Sequence, residues 1–247
     1  MNILITGATG FIGQNLTEKL AHKKGVTLLI YDPRTDQNNL ARLSSTIDFV
    51  FHLAAVHRPL DQAEFKTVNV LYFAELMRKL RGQNNSCPVL FTSSYQAIDQ
   101  TPYGQSKLAA EEELKRHAEA NRSRAIIYRL TNTFGRYARP NAHSVVATFC
   151  FNIARGLPIE IHDPNRIMHL YYIDDVVKSF LAHLNGWVEP DADGFYRLPK
   201  NLMYEITLGA LAENIKSFKE DYDRNYKTIF SDGLTAKLHA TFLSYLP

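Results

Sequence analysis

The 247 residues are 45% hydrophobic, ample for a sizeable core, and 28 basic against 25 acidic residues leave a formal charge of +3. That bias is too small to imply a nucleic-acid or membrane-surface partner, but it suits anionic small molecules such as nucleotides. No apolar run approaches the roughly 18 residues a membrane helix needs. The start MNILITG lacks the basic, long-apolar build of a leader, and two distant cysteines, Cys87 and Cys150, suit a reducing, cytoplasmic setting without disulfides or a cysteine metal site.

In chain order, NILIT (2–6) reads as a first strand and is followed at once by TGATGFIG (6–13), which opens a helix over 11–22. Three glycines in that context have separate tasks. One permits a tight turn, one lets backbone approach a pyrophosphate, and one lets helix pack on strand, as Gly7, Gly10 and Gly13 would. With Thr9, Phe11 and Ile12 they place the positive end of the helix at a phosphate. TLLIY (27–31) is the second strand, ending in YDPRTD. There Asp32 would suit the ribose 2′-hydroxyl of NAD, and Arg34 the 2′-phosphate of NADP. NADP(H) is favoured, with NAD(H) open. The third strand, DFVFHLA (48–54), finishes in Leu53, Ala54 and Ala55, small enough for a cofactor to lie on the backbone. A helix over 61–82, a strand PVLFTSS (88–94), a helix over 104–120 and a strand AIIYRLT (125–131) follow. The strands are nearly continuous in apolar residues, as in a parallel sheet covered on both faces. The alternation predicts a doubly wound α/β fold of Rossmann type.

Tyr103 and Lys107 lie four apart at the start of the 104–120 helix, so they share one face. An ammonium there would stabilise phenolate. Lowering the phenol by ~3 units needs ~4 kcal/mol of differential stabilisation, which a partly desolvated cation together with the nicotinamide charge could supply. Tyr103 could then exchange a proton with a carbinol oxygen while hydride moves to or from a nicotinamide, with Ser94, at the end of the fourth strand, hydrogen-bonding the same oxygen. After residue 132 the rhythm changes. Helices are expected near 143–156, 174–186, 207–218 and 234–245, forming a small C-terminal substrate-binding lobe. The division expected is 1–132 and 133–247, with the chain free to cross between the two.

TGATGFIG, HLAA, TSS and YGQSK resemble the extended branch of the short-chain dehydrogenase/reductases, which acts on nucleotide sugars. The resemblance implies that Asn69, in VNV (68–70), supports a proton-relay water. It also implies that RLTNTFG (129–135), with Leu130 and Asn132, lies along nicotinamide and sugar, and that YIDDVV (172–177) starts a substrate-lobe helix. VHRP (56–59), YARPNAHSVVATFCFNIARG (137–156) and FLSYLP (242–247) are similar to the reductase domain of capsular-polysaccharide UDP-sugar 4-keto reductases of CapF type. Those enzymes use NADPH on UDP-2-acetamido-2,6-dideoxy-hexos-4-ulose substrates. In them a cupin domain follows the Ser-Tyr-Leu-Pro point, where this sequence stops at Pro247.

Many members of the branch hold the diphosphate with an arginine where Met168 stands here. Arg166, with His169, Arg139, Asn141, His143 and His162, are the substitutes, and Arg58 leaves the third strand at the edge where ligands bind. No carboxyl pair follows Ser94, which argues against a dehydratase. The alternatives kept are an NAD-dependent 4-epimerase and a non-catalytic NADP-binding sensor or scaffold. A homodimer through the 61–82 and 104–120 helices is expected, from the resemblance and from Tyr72, Phe73, Leu76 and Leu80 at helical spacing. No metal, nucleic-acid or membrane-inserted partner is expected.

Overall fold

The structure, a computed structural model, describes residues 1–32, 44–142, 144–230 and 232–247. It divides into two compact units, Met1–Leu130 with Phe180–Arg197, and Thr131–Ser179 with Leu198–Pro247. The expected division at 132/133 differs mainly in one stretch, since Phe180–Arg197 clusters with the amino-terminal unit.

The first unit is built on a five-stranded parallel sheet, β1 (Asn2–Thr6), β2 (Thr27–Tyr31), β3 (Phe49–His52), β4 (Val89–Ser94) and β5 (Ala125–Leu130), in the order β2-β1-β3-β4-β5. Strand order reverses between β1 and β3, the place where ligands bind at the carboxyl edge of such sheets. Ile3, Leu4, Ile5, Val50, Phe51, Val89 and Leu90 are fully buried, as the continuous apolar runs require. Edge strand β2 is the exception, with Ile30 half exposed.

Helix α1 (Phe11–Ala21) follows β1. Helix α2 opens as a π-helical stretch, Phe65–Leu71, and continues as an α-helix, Tyr72–Gly82. Its Phe73, Leu76, Met77 and Leu80 repeat at helical spacing and are buried in the unit's own core with Val50, Val89 and Leu114. Three of the four residues offered for self-association, Phe73, Leu76 and Leu80, therefore face the chain's own sheet, and that support for a dimer falls away. Helix α3 (Pro102–Asn121) is capped by Thr101, whose hydroxyl accepts from the Gly104 N–H at 3.1 Å, with Pro102 in the first turn.

In the second unit, β6 (Asn132–Phe134) pairs parallel with β7 (Ile167–Tyr172), and β7 pairs antiparallel with β8 (Met203–Thr207). Helices α4 (Val145–Ala154), α6 (Leu208–Asp223) and α7 (Gly233–Leu243) bury Phe149, Cys150, Ile215, Phe218, Leu238 and Phe242 among them. Helix α5 (Ile173–Ala182) carries the chain back to the first unit. No described helix is long and apolar enough to cross a membrane, and no described cluster of His, Cys, Asp and Glu could hold a metal ion.

Candidate active site

The turn between β1 and α1 is closed by the Gly10 N–H donating to the Gly7 carbonyl at 3.0 Å. Gly7 has φ +70°, and a Cβ on it would lie 2.6 Å from the Ala54 nitrogen. A Cβ on Gly13 would strike the Gly7 carbonyl oxygen, whereas one on Gly10 would meet only that oxygen, at 3.2 Å. Gly7 and Gly13 are thus required by the fold, and Gly10 stands at the open side. Gly10 caps α1 without a side-chain hydrogen bond, and the first turn holds no acid, so the helix presents unsatisfied N–H groups. Thr9 and Gly10 are exposed, Phe11 and Ile12 partly buried.

Behind the turn, the Thr6 hydroxyl bonds His52 Nδ1 at 2.8 Å and accepts from the Ala54 N–H at 3.3 Å, which latches the ends of β1 and β3 together. Leu53 and Ala54 are partly buried, Ala55 is exposed, and Leu130 closes β5 nearly buried. Asp32 follows β2, partly buried. Arg34 lies outside the described residues, as does His143. The uncapped helix, the acid-free first turn and the glycine backbone fit a dinucleotide pyrophosphate.

Ser94 ends β4 and its hydroxyl accepts from the Gln96 N–H at 3.1 Å, capping the turn Tyr95–Ile98. A Cβ on Gly104 would strike the Gln96 carbonyl oxygen, so the glycine after Tyr103 lets α3 press onto that turn. This close approach brings the Tyr103 phenol within reach of the Ser94 side chain, which acts on its proton. Burial raises the phenol above its ordinary pKa. The Ser94 hydrogen bond pulls the other way, and Tyr95 adds to the rise.

Lys107 is 3% exposed. Its Nζ donates to the Thr92 carbonyl at 2.9 Å and lies 4.9 Å from the centre of the Phe91 ring and 5.9 Å from that of Tyr103. Burial lowers its pKa to about 8, against the pull of Glu111. Among the protein's own groups, burial rather than Lys107 governs the Tyr103 phenol, and the ammonium is itself weakened by burial and turned to a carbonyl.

Asn69 lies in the π-helical stretch, 2% exposed. Its Oδ1 accepts from the Val56 N–H at 2.8 Å, and its Nδ2 donates to the Val56 carbonyl at 3.0 Å and the Ser106 hydroxyl at 3.0 Å. Ser106 in turn donates to the Tyr103 carbonyl at 2.7 Å. The side-chain donors of Asn69 are therefore engaged by protein. Through these bonds Asn69 clamps the exit of β3 to the start of α3. That clamp carries His57, whose ring stands edge-on to Tyr103 with centroids 4.4 Å apart.

A group that the sequence reading passed over lies behind Lys107. Glu111, 1% exposed, accepts from Arg129 Nε at 2.9 Å and Nη2 at 2.6 Å, and from the Ser93 hydroxyl at 2.5 Å. The signal was available: Tyr103, Lys107 and Glu111 are spaced i, i+4, i+8 on one helix face.

Of the expected substrate contacts, Arg58 is exposed just after β3 in the first unit. Ser94 is in the first unit too, and the others belong to the second. Asn132 opens β6, with Nδ2 3.5 Å from the His169 carbonyl, and Arg139 is exposed. Asn141, at φ 55°, donates its backbone N–H to the Thr148 hydroxyl at 2.9 Å. His162 is 93% exposed and 4.0 Å from Glu160, and Arg166 is exposed. Arg136 was not singled out. It is partly buried, its guanidinium 5.2 Å from the Tyr137 ring centre, and its charge acts on the Tyr172 phenol.

A family model described as the NAD dependent epimerase/dehydratase family matches residues 3–193. Over its whole length the chain is 38% identical to a UDP-2-acetamido-2,6-beta-L-arabino-hexul-4-ose reductase of Pseudomonas aeruginosa, covering 65% of that protein. It is 25% identical to a putative UDP-glucose 4-epimerase of Methanocaldococcus jannaschii, over 74% of this chain and 73% of that one. Among solved structures, the capsular polysaccharide assembling protein CapF of Staphylococcus aureus superposes on the whole chain with a TM-score of 0.88 at 34% identity, over 66% of its own length. The chain thus spans just under two thirds of the reductase and of CapF. A UDP-glucuronic acid 4-epimerase of Bacillus cereus, in complex with NAD, shares the fold with a TM-score of 0.81 at 18% identity.

Proposed function

Because the chain belongs to the NAD dependent epimerase/dehydratase family, we propose that it reduces a 4-keto nucleotide sugar of the UDP-2-acetamido-2,6-dideoxy-hexos-4-ulose type with NAD(P)H, in the synthesis of a surface or capsular polysaccharide precursor. The substrate class rests on the 38% identity to the Pseudomonas reductase along the entire chain. In this reading Gly7, Gly10, Gly13 and the start of α1 take the pyrophosphate. Asp32 or Arg34 meets the adenosine ribose, and Leu53, Ala54, Ala55, Leu130, Tyr103 and Lys107 border the nicotinamide half. NADPH is preferred to NADH, the setting is cytoplasmic, and the assembly is a homodimer.

The cofactor, when bound, supplies the hydride. The chain supplies the proton and holds the oxygen that takes it. Ser94 hydrogen-bonds the substrate's keto oxygen, and Tyr103 donates its phenolic proton to that oxygen as the carbonyl carbon is reduced. Lys107, one helical turn on, supplies the cation for the phenolate left behind. The Tyr103 phenol, raised by burial from its ordinary value, is protonated at neutral pH and so has the proton that reduction consumes, while the 38% identity to the Pseudomonas reductase along the entire chain carries the choice of reduction.

The test follows NADPH and NADH absorbance with a 4-keto-6-deoxy UDP-HexNAc. Stoichiometric oxidation, faster with NADPH, is expected. No oxidation of either coenzyme overturns the reductase. The second reading, a 4-epimerase, draws on the likeness to the Methanocaldococcus protein. It predicts interconversion of two UDP-sugars with no net change in coenzyme.

A further inference from the structure

The reaction proposed above uses Lys107 as a cation, yet this side chain is buried at 3% exposure, and among the described residues its hydrogen-bond acceptor is one backbone carbonyl, that of Thr92. An ammonium so placed needs a compensating charge. The titratable and charged groups around it come from three elements. Tyr103 and Glu111 stand one turn before and one turn after it on α3. His52 reaches it from β3, and Arg129 of β5 acts through Glu111. His52 is held neutral by burial, down to about 3, and Tyr103 is held neutral by its raised pKa. The negative charge behind the lysine is that of Glu111.

We propose that Glu111 is a positioning residue of this reaction: fixed by the Arg129 fork and the Ser93 hydroxyl one turn beyond Lys107, its carboxylate keeps Lys107 an ammonium inside the protein. Three observations bear on it. Glu111 is 1% exposed, so water screens its field little. Three hydrogen bonds, of 2.5, 2.6 and 2.9 Å, leave it one orientation. One of them comes from Ser93, the residue before Ser94, so the same carboxylate also fixes the end of the strand that carries the substrate-facing hydroxyl. Burial and Glu111 act on Lys107 in opposite directions, and their balance leaves it at about 8, within reach of working pH. The inference rests on the reductase reading for its purpose, and on the one-turn spacing of Lys107 and Glu111 and the firmly held carboxylate for its electrostatics.

The experiment reads the lysine directly. In protein carrying 13C-labelled lysine, the Lys107 Cε resonance, assigned by its loss in Lys107→Met, is followed against pH without substrate. Glu111→Gln keeps the shape and removes the charge, and the Lys107 midpoint is expected to fall by about one pH unit or more. Glu111→Asp keeps the charge and breaks the fork geometry, and the midpoint is expected to stay within about half a unit of the wild type. The alkaline limb of kcat/KM with NADPH moves with the midpoint. A midpoint unchanged in Glu111→Gln, or one that falls equally in Glu111→Asp, overturns the proposal and leaves Glu111 as packing. Should Glu111→Gln not fold, Arg129→Met is read instead: it leaves the carboxylate and removes the cation paired with it, so the Lys107 midpoint is expected to rise, and a midpoint that does not rise overturns the proposal. Because the resonance needs no turnover, absence of NADPH oxidation in the wild type counts against the reductase reading alone.

Discussion

Tyr103, Lys107 and Ser94 were visible as letters, because a helix repeats its face every four residues and the strand end follows from the apolar run. What their neighbourhood does to their protons was not visible. Burial depends on which distant segments cover a group, and among the protein's own groups it dominates at Tyr103. His52 makes the same point. It is 2% exposed, its ring stacked 4.2 Å from Phe73, its Nδ1 on Thr6 and its Nε2 buried without a hydrogen-bond partner among the described residues. Burial, with a smaller push from Lys107, depresses its pKa to about 3. Between about pH 3 and the ordinary value near 6.5, the unfolded chain binds a proton here that the folded chain does not. Folding stability from this group therefore falls by about 1.4 kcal/mol for each unit of pH lost across that window. Denaturant melts at pH 7, 6 and 5 measure it, and His52→Gln is expected to show a slope shallower by that amount. Equal slopes would contradict the assignment.

At the scale of elements, the glycine turn was legible because each glycine has a distinct backbone task. The same geometry ranks those tasks. Gly13→Ala drives a Cβ into the Gly7 carbonyl and is expected to lower stability by about 3 kcal/mol or more. Gly10→Ala meets only one oxygen, at 3.2 Å, so it is expected to fold with a near-normal melting curve while binding NADPH at least about tenfold more weakly. Thermal melts and fluorescence titration of NADPH separate the two. Loss of folding in Gly10→Ala, or normal affinity, would contradict this ranking. The π-helical opening of α2 was not legible, nor was the true destination of its apolar stripe. Phe73, Leu76 and Leu80 keep the same spacing whether a helix faces its own sheet or another subunit, and only the packed structure shows the former.

Over the whole molecule, the alternation of strands and helices matches the five described strands of the first 130 residues, because βαβ units are local and each strand pairs with one formed nearby in the chain. The stretch Phe180–Arg197 escaped because its contacts are not local. The Tyr196 N–H donates to the Ile127 carbonyl at 2.9 Å, and Phe195 lies under the Arg129 guanidinium at 4.0 Å, with Lys115 at 4.7 Å. Phe195 is 7% exposed, so Phe195→Ala is expected to destabilise the first unit by about 3 kcal/mol. It should also loosen Arg129 and leave Glu111 less firmly held. Denaturant unfolding measures the first effect, and a loss under about 1 kcal/mol would mean that the returning stretch is an ornament on the sheet.

The reductase account stands most directly on one proton donor. Single-turnover hydride transfer from NADPH to the 4-keto UDP-sugar, measured in Tyr103→Phe beside the wild type with NADPH affinity determined in both, isolates it. The account predicts unchanged NADPH binding, within about threefold, and hydride transfer slowed by about 100-fold or more. Hydride transfer at the wild-type rate in Tyr103→Phe would contradict it.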